Sequence, residues 1–277
     1  MKIAVQNGGE PFYIAFWQAL FCAMILYIYT VIKHGEVGLK ISHMQFIILL
    51  GIFGSALPNV IFYWSAERLN AGFLAISVSF IPLLTYTFAF VFKIEAFSFK
   101  RVLGVVLGAV ALNLLLVPES SIPRRGDVFW MLIVCIAAVS YAIENLLIDI
   151  KMPDDIGAVR VACGMNFMGA ALVLPFAMLS NQLTIPEFPP SSLEISVLGL
   201  GVINALAYSI FIFLVRRTGP VFASQTGYVV TIGGMLWGIL LFSESYSTWV
   251  WASLFVLILG IILVSPRSQG NITVEKK

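Results

Sequence analysis

Nine apolar stretches follow one another through almost the whole chain, at 11–32, 44–66, 70–92, 99–117, 127–149, 156–180, 194–215, 220–242 and 247–265. A helix of about 20 apolar residues crosses the roughly 30 Å hydrocarbon core of a bilayer. Lipid offers nothing to an unpaired backbone amide, so each crossing segment must bond its own N–H and C=O groups as an α-helix. The stretches are too long and too evenly apolar for barrel strands. Composition closes the soluble alternative: 60% of the chain is hydrophobic and only 11% charged, against about 25% charged in soluble domains. The expected fold class is an all-α polytopic membrane protein. The breaks are short: Lys33-His34-Gly35-Glu36 is one, Glu67-Arg68-Leu69-Asn70 another. The segment 118–126 joins the two halves, and 181–193 (NQLTIPEFPPSSL) is too rich in proline for a helix.

Nine crossings sort the cations. One side collects Lys33, Lys40, Lys93, Lys100, Arg101, Lys151, Arg160, Arg216, Arg217, Arg267, Lys276 and Lys277; the other collects Lys2, Arg68, Arg124 and Arg125. The positive-inside rule then places the C-terminus in the cytoplasm and the N-terminus outside a cytoplasmic (inner) membrane. The net charge of +2 argues against a nucleic-acid partner. Cys22, Cys135 and Cys163 lie inside apolar stretches without metal-site or disulfide spacing, and read as small core residues. No cofactor or metal is expected.

The chain also repeats itself. With a shift of 149, Glu95 falls on Glu244, Arg68 on Arg217, Ala56-Leu57 on Ala205-Leu206, Ile61-Phe62 on Ile210-Phe211, Phe73 on Phe222 and Ser98 on Ser247. The halves divide at 1–118 and 119–277. Pro11 with Gln18 matches Pro153 with Arg160, so stretch 156–180 is the counterpart of 11–32 and stretch 127–149 has none. The expectation is a ten-helix unit of two inverted sets of five, of which this chain lacks the first helix. A start placed too late and a natural nine-helix form both account for it. Duplicated hydrophobic halves of opposite sense mark secondary transporters, whose substrate site lies near the midplane between the repeats.

Polar residues inside the stretches are the site candidates. Glu144 stands out, because a carboxylate at that depth costs several kcal/mol unless it meets water or a partner. It is either a proton carrier or counter-charge in a cavity, or a boundary residue reaching cytoplasmic water. Asn145 and Tyr141 lie within a turn of it. Asn59 and Asn204 sit on the paired stretches 44–66 and 194–215, as cavity groups or as hydrogen-bonding glue between helices. Pro58 frees a carbonyl one turn back. Tyr63, Trp64 and Tyr208 are candidates for an aromatic wall. Gln225, Thr226 and Tyr228 on one stretch match the depth of Ser77 and Ser79 on its counterpart; a small hydroxyl bonding its own helix is the plain alternative. Glu95 and Glu244 read as structural, capping the next helix or pairing with a cation, with Ser98 and Ser247 as N-caps. Gly104, Gly108, Gly199 and Gly201 read as close-packing positions. Asn271-Ile272-Thr273 is a glycosylation sequon only in form, since the tail is expected in the cytoplasm.

Several pieces in fixed order resemble a known group. They are PFYIAFWQ (11–18), ERLNAG (67–72), the run 73–112 with Pro82, Glu95, Gly104 and Gly108, and its echo 222–263 with Glu244 and Gly260. Together they resemble the EamA-type permeases of the drug/metabolite transporter superfamily. Two departures stand: Thr231 replaces the second proline, and Gln18 stands where the group usually has arginine, which Arg160 keeps in the second half. The resemblance implies ten helices in two inverted repeats, a central cavity, and movement of small metabolites without ATP hydrolysis.

The expected function is secondary transport of a small polar metabolite (amino acid, amine or similar) by alternating access, as export, with proton coupling through Glu144. The expected partners are that substrate, the proton, the lipid bilayer and a second copy in a homodimer. The other readings are a sensor or accessory subunit and an intramembrane enzyme. The latter needs a nucleophile–base pair or metal cluster in the membrane, whereas His34 and His43, the two histidines, share one loop. No P-loop is present for an ATP-driven pump.

Overall fold

A computed structural model describes residues 1–263 except 37, 96, 117–126, 187 and 225. The linker 118–126, Gln225 and the tail with its sequon lie outside the described residues, as does the side chain of Tyr228. The regular elements among the described residues are all helical, as burial of backbone in lipid requires.

Each expected stretch falls on helix. A short α1 (Lys2–Gln6) precedes α2 (Pro11–His34). Proline opens α2 where its missing N–H costs nothing, and Gly35, at φ 77°, ends it in the left-handed conformation with its N–H on the Val31 carbonyl. The segment Ile41–Ala66 is composite: a 3-10 turn (Ile41–His43), α3 (Met44–Leu50), a π-helical turn (Gly51–Ala56) and α4 (Leu57–Ala66). The next stretch is α5 (Ala71–Val78) and α6 (Ile81–Val91), broken ahead of Pro82. Then come α7 (Phe99–Leu116), α8 (Asp127–Lys151), α9 (Ala158–Leu179) and α10 (Ser192–Thr218). Ser191 and Glu194 form a reciprocal capping box that starts α10. The last are α11 (Pro220–Ala223), α12 (Thr226–Phe242) and α13 (Thr248–Leu263).

Among the described residues, six segments are long and apolar enough to cross a membrane: Pro11–His34, Ile41–Ala66, Ala71–Val91, Val128–Lys151, Ala158–Leu179 and Ser192–Thr218. Val229–Phe242 and Thr248–Gly260 are shorter apolar helices. α2 lies along α9 and α10, α5 along α12, α7 along α13, and α8 packs between α4 and α6. Close approach is built from glycine: a Cβ on Gly260 would lie 2.8 Å from the Gly104 carbonyl, and one on Gly201 2.8 Å from Phe21. Gly199 differs from expectation, since a Cβ there would meet no atom of another element within 4 Å.

Contacts gather the connections at two ends. At one end Lys2 donates to the Ala66 carbonyl (3.0 Å), Phe12 N–H to Gln182 (3.0 Å), and Trp17 to the Thr184 carbonyl (3.0 Å). There Glu244 accepts from the Ala71 and Gly72 N–H groups at 2.8 and 3.2 Å, capping α5 rather than the helix that follows it. At the other end Lys40 and His43 meet Asp155 (2.6 and 3.1 Å), and Arg216 meets Asp154 (2.6 Å). The hydrogen bond from Lys40 holds the exposed Asp155 carboxyl below its usual range. Glu95 pairs with Arg101 at 2.8 Å. Ser247 does not cap α13 through its side chain, as its hydroxyl has no hydrogen-bond partner.

Candidate functional site

The site begins with Pro58. It has no N–H to give the carbonyl four residues back, and its ring crowds that carbonyl in a regular helix. The segment widens into a π turn over Gly51–Ala56 just before it. The carbonyl in question belongs to Gly54, and the Tyr208 hydroxyl of α10 donates to it at 2.9 Å. Gly54 also makes room: a Cβ there would stand 2.6 Å from Glu144 Cδ and 2.8 Å from Met165 Sδ. Backbone irregularity at membrane depth is tolerated where it lines a cavity, and one lies beside it.

This cavity has a volume of about 530 Å³. Asn59, Tyr63, Tyr141, Glu144, Asn145, Asn204 and Tyr208 line it, so it brings together most of the polar residues singled out from sequence. Phe62 and Phe211 add apolar wall. On the α10–α12 side it opens past Ile210 and Val230, which are 65% and 54% exposed.

Glu144 is 1% exposed and sits two turns inside α8, which runs on to Lys151. The boundary reading, with its carboxylate in cytoplasmic water, does not match this burial: α8 continues past it, and Gly54 of the π turn lies against it. Its Oε1 has no protein partner. Neighbouring groups are half satisfied as well. Asn145 donates to Thr85 Oγ1 at 3.1 Å while its own Oδ1 is unpartnered. Asn59 Oδ1 accepts a long bond from Tyr141 (3.5 Å) while its Nδ2 is unpartnered. Tyr63 donates to Gln18 Oε1 at 2.8 Å, leaving Gln18 Nε2 unpartnered. A buried polar group left unpaired costs about 1–3 kcal/mol, so a cluster of them around one cavity fits a place that polar atoms of a ligand complete. Among the described lining residues none is lysine, arginine or histidine.

Other candidates lie elsewhere. Ser79 is buried against Thr231 at the contact of the α5–α6 break with α12, outside the cavity. Ser77 bonds its own Phe73 carbonyl at 2.9 Å. Trp64 is 46% exposed, with its ring 5.8 Å from that of Phe12, and forms no part of the cavity wall. Thr226 does line the cavity. Sequence reasoning passed over Ser224 and Met1, which line the cavity, and Thr85, the partner of Asn145. Single hydroxyls at Thr85 and Ser224 carry no signal along the chain.

These features define a helical membrane protein with a polar-studded cavity at its centre. The chain belongs to the EamA-like transporter family, which it matches over residues 1–117 and again over 128–265. It is therefore a polytopic membrane transporter. It is 22% identical to a WAT1-related protein of Arabidopsis thaliana, over 95% of this chain and 84% of that one. It is 24% identical to the inner membrane transporter YedA of Escherichia coli K12, over 72% of this chain and 63% of that one. A protein of known crystal structure shares the fold, with a TM-score of 0.67 at 14% identity, covering 95% of this chain and 90% of that one.

Proposed function

We propose that the protein is a secondary transporter of the inner membrane that exports a small polar metabolite by alternating access, with Glu144 as its proton carrier or as counter-charge to an amine. The observation that carries the reading is Glu144 itself: a deeply buried carboxyl with an unpartnered oxygen, set in a cavity with asparagines and tyrosines. A carboxyl is retained at such depth at a cost of several kcal/mol, which function explains and packing does not. Two inverted repeats with the cavity between them fit the pairing of helices, since α2 with α9, α5 with α12 and α7 with α13 are sequence counterparts that lie against each other. The double match to one family supports the same reading. The grouping of Lys40, Asp154, Asp155 and Arg216 at one end suits an even set of loops on the cytoplasmic side, with the N-terminus outside.

The test is transport into proteoliposomes by the wild type and by Glu144→Gln, across a panel of amino acids and amines and across pH. The substitution keeps size and removes charge and proton. Transport falls at least tenfold, or loses its pH dependence. A variant with the wild-type rate and pH profile reduces Glu144 to a packing residue.

A further inference from the structure

The end of the molecule that holds Lys40 and Arg216 carries two kinds of cation. Lys40 and Arg216 are neutralised by Asp155 and Asp154. Arg160 and Arg217 make no ion pair with a described carboxylate. Arg160 and Glu36 both approach Gly38, yet no ion pair joins the two.

Arg160 lines a second cavity, of about 720 Å³, set between the end of α2, the start of α9 and the later part of α10. His34, Ser209, Ile210 and Phe213 line it too. Arg217 lies beside a lining residue, with its guanidinium 5.4 Å from the centre of the Phe213 ring. Ile210 and Phe213 are 65% and 53% exposed on a segment apolar enough to cross the membrane, so they face hydrocarbon. The cavity thus has a cationic upper end and an apolar lower wall open to lipid.

We infer that this cavity holds the headgroup of one anionic phospholipid from the adjoining leaflet. The phosphodiester lies between Arg160 and Arg217, whose guanidinium groups suit two phosphate oxygens, and an acyl chain runs down over Ile210 and Phe213. A free phosphate would leave the apolar wall without use. A zwitterionic lipid brings its own cation to a place that already has two. Basic pockets between membrane helices commonly take anionic headgroups.

The experiment is native mass spectrometry of the purified full chain with phosphatidylglycerol, with phosphatidylcholine of the same acyl chains, and with phosphatidylglycerol in the presence of inorganic phosphate. The wild type retains one phosphatidylglycerol at least tenfold more tightly than phosphatidylcholine. Arg160→Gln with Arg217→Gln brings the two lipids level, whereas Arg216→Gln, whose partner is Asp154, keeps the preference. Equal retention of both lipids by the wild type overturns the inference, and that comparison decides the matter even if the double variant does not fold. So does a preference that survives the double substitution. Displacement of the lipid by millimolar inorganic phosphate replaces the lipid site with a phosphate site and equally overturns it.

Discussion

The segments Ile41–Ala66 and Ser192–Thr218 are set on one another by the 149-residue shift, yet they are built differently. The first is a chain of four pieces with a π turn in the middle, and 61% of its apolar stretch is buried. The second is one unbroken helix of 27 residues with 22% of its apolar stretch buried. Two positions explain most of this. Pro58 faces Ala207 in the alignment, and Gly54 faces Ile203. Proline breaks the backbone ladder in the first segment, and glycine lets Glu144 settle against the opened turn. Alanine and isoleucine leave the second segment regular, with Ile203 63% exposed. Two segments matched in sequence thus take different tasks through single residues. One widens into a π turn beside the carboxyl, and the other reaches across with Tyr208.

The harshest way to break this contrast is to give the second segment the first one's proline. Ala207→Pro would free the Ile203 carbonyl in the middle of an unbroken helix, where no π turn takes up the break. The expected loss is about 3 kcal/mol of stability, read as a lower denaturant midpoint in mixed micelles. A variant as stable as the wild type would mean that α10 already tolerates a break, and the contrast would fail. Gly54→Ala comes next. Its Cβ would press on Glu144 and Met165, and overpacking of this kind costs about 1–3 kcal/mol. The matched Ile203→Ala faces lipid and should stay within about 0.5 kcal/mol. Equal effects of the two would show that Gly54 is not the close contact described.

How much of this was readable beforehand follows from the kind of signal each feature leaves. Helices stood out because a lipid solvent imposes long apolar runs that nothing else explains. Glu144, Asn59, Asn204 and Tyr208 stood out because polar groups are scarce in such runs. Ser79 looked the same and yet turned to Thr231, since a small hydroxyl is satisfied by whichever neighbour is nearest. The role of Tyr208 was hidden for another reason. Pro58 announced a freed carbonyl, but which side chain would meet it depends on how α10 lies against the π turn, and spacing along the chain does not contain that. Glu244 was hidden in the same way. Its counterpart Glu95 pairs with Arg101, whereas the position matching Arg101 is Val250, so the carboxylate turned to the N-terminus of α5 instead.

The mildest substitutions sharpen the contrast most. Tyr208→Phe removes one hydroxyl and should cost about 1 kcal/mol, because the Gly54 carbonyl loses its donor. Pro58→Ala restores an N–H at position 58, which can bond that same carbonyl as in an ordinary helix. The two changes therefore address one acceptor from two directions and should not add. In the Pro58→Ala background, Tyr208→Phe is expected to cost less than about 0.3 kcal/mol, so the coupling in a double-mutant cycle approaches the whole of the single effect. The measurement is the unfolding midpoint of four proteins in one detergent. Additive costs would show that Tyr208 stabilises the protein through its packing in the cavity wall. The carbonyl freed by Pro58 would then not be what ties the bent segment to the straight one.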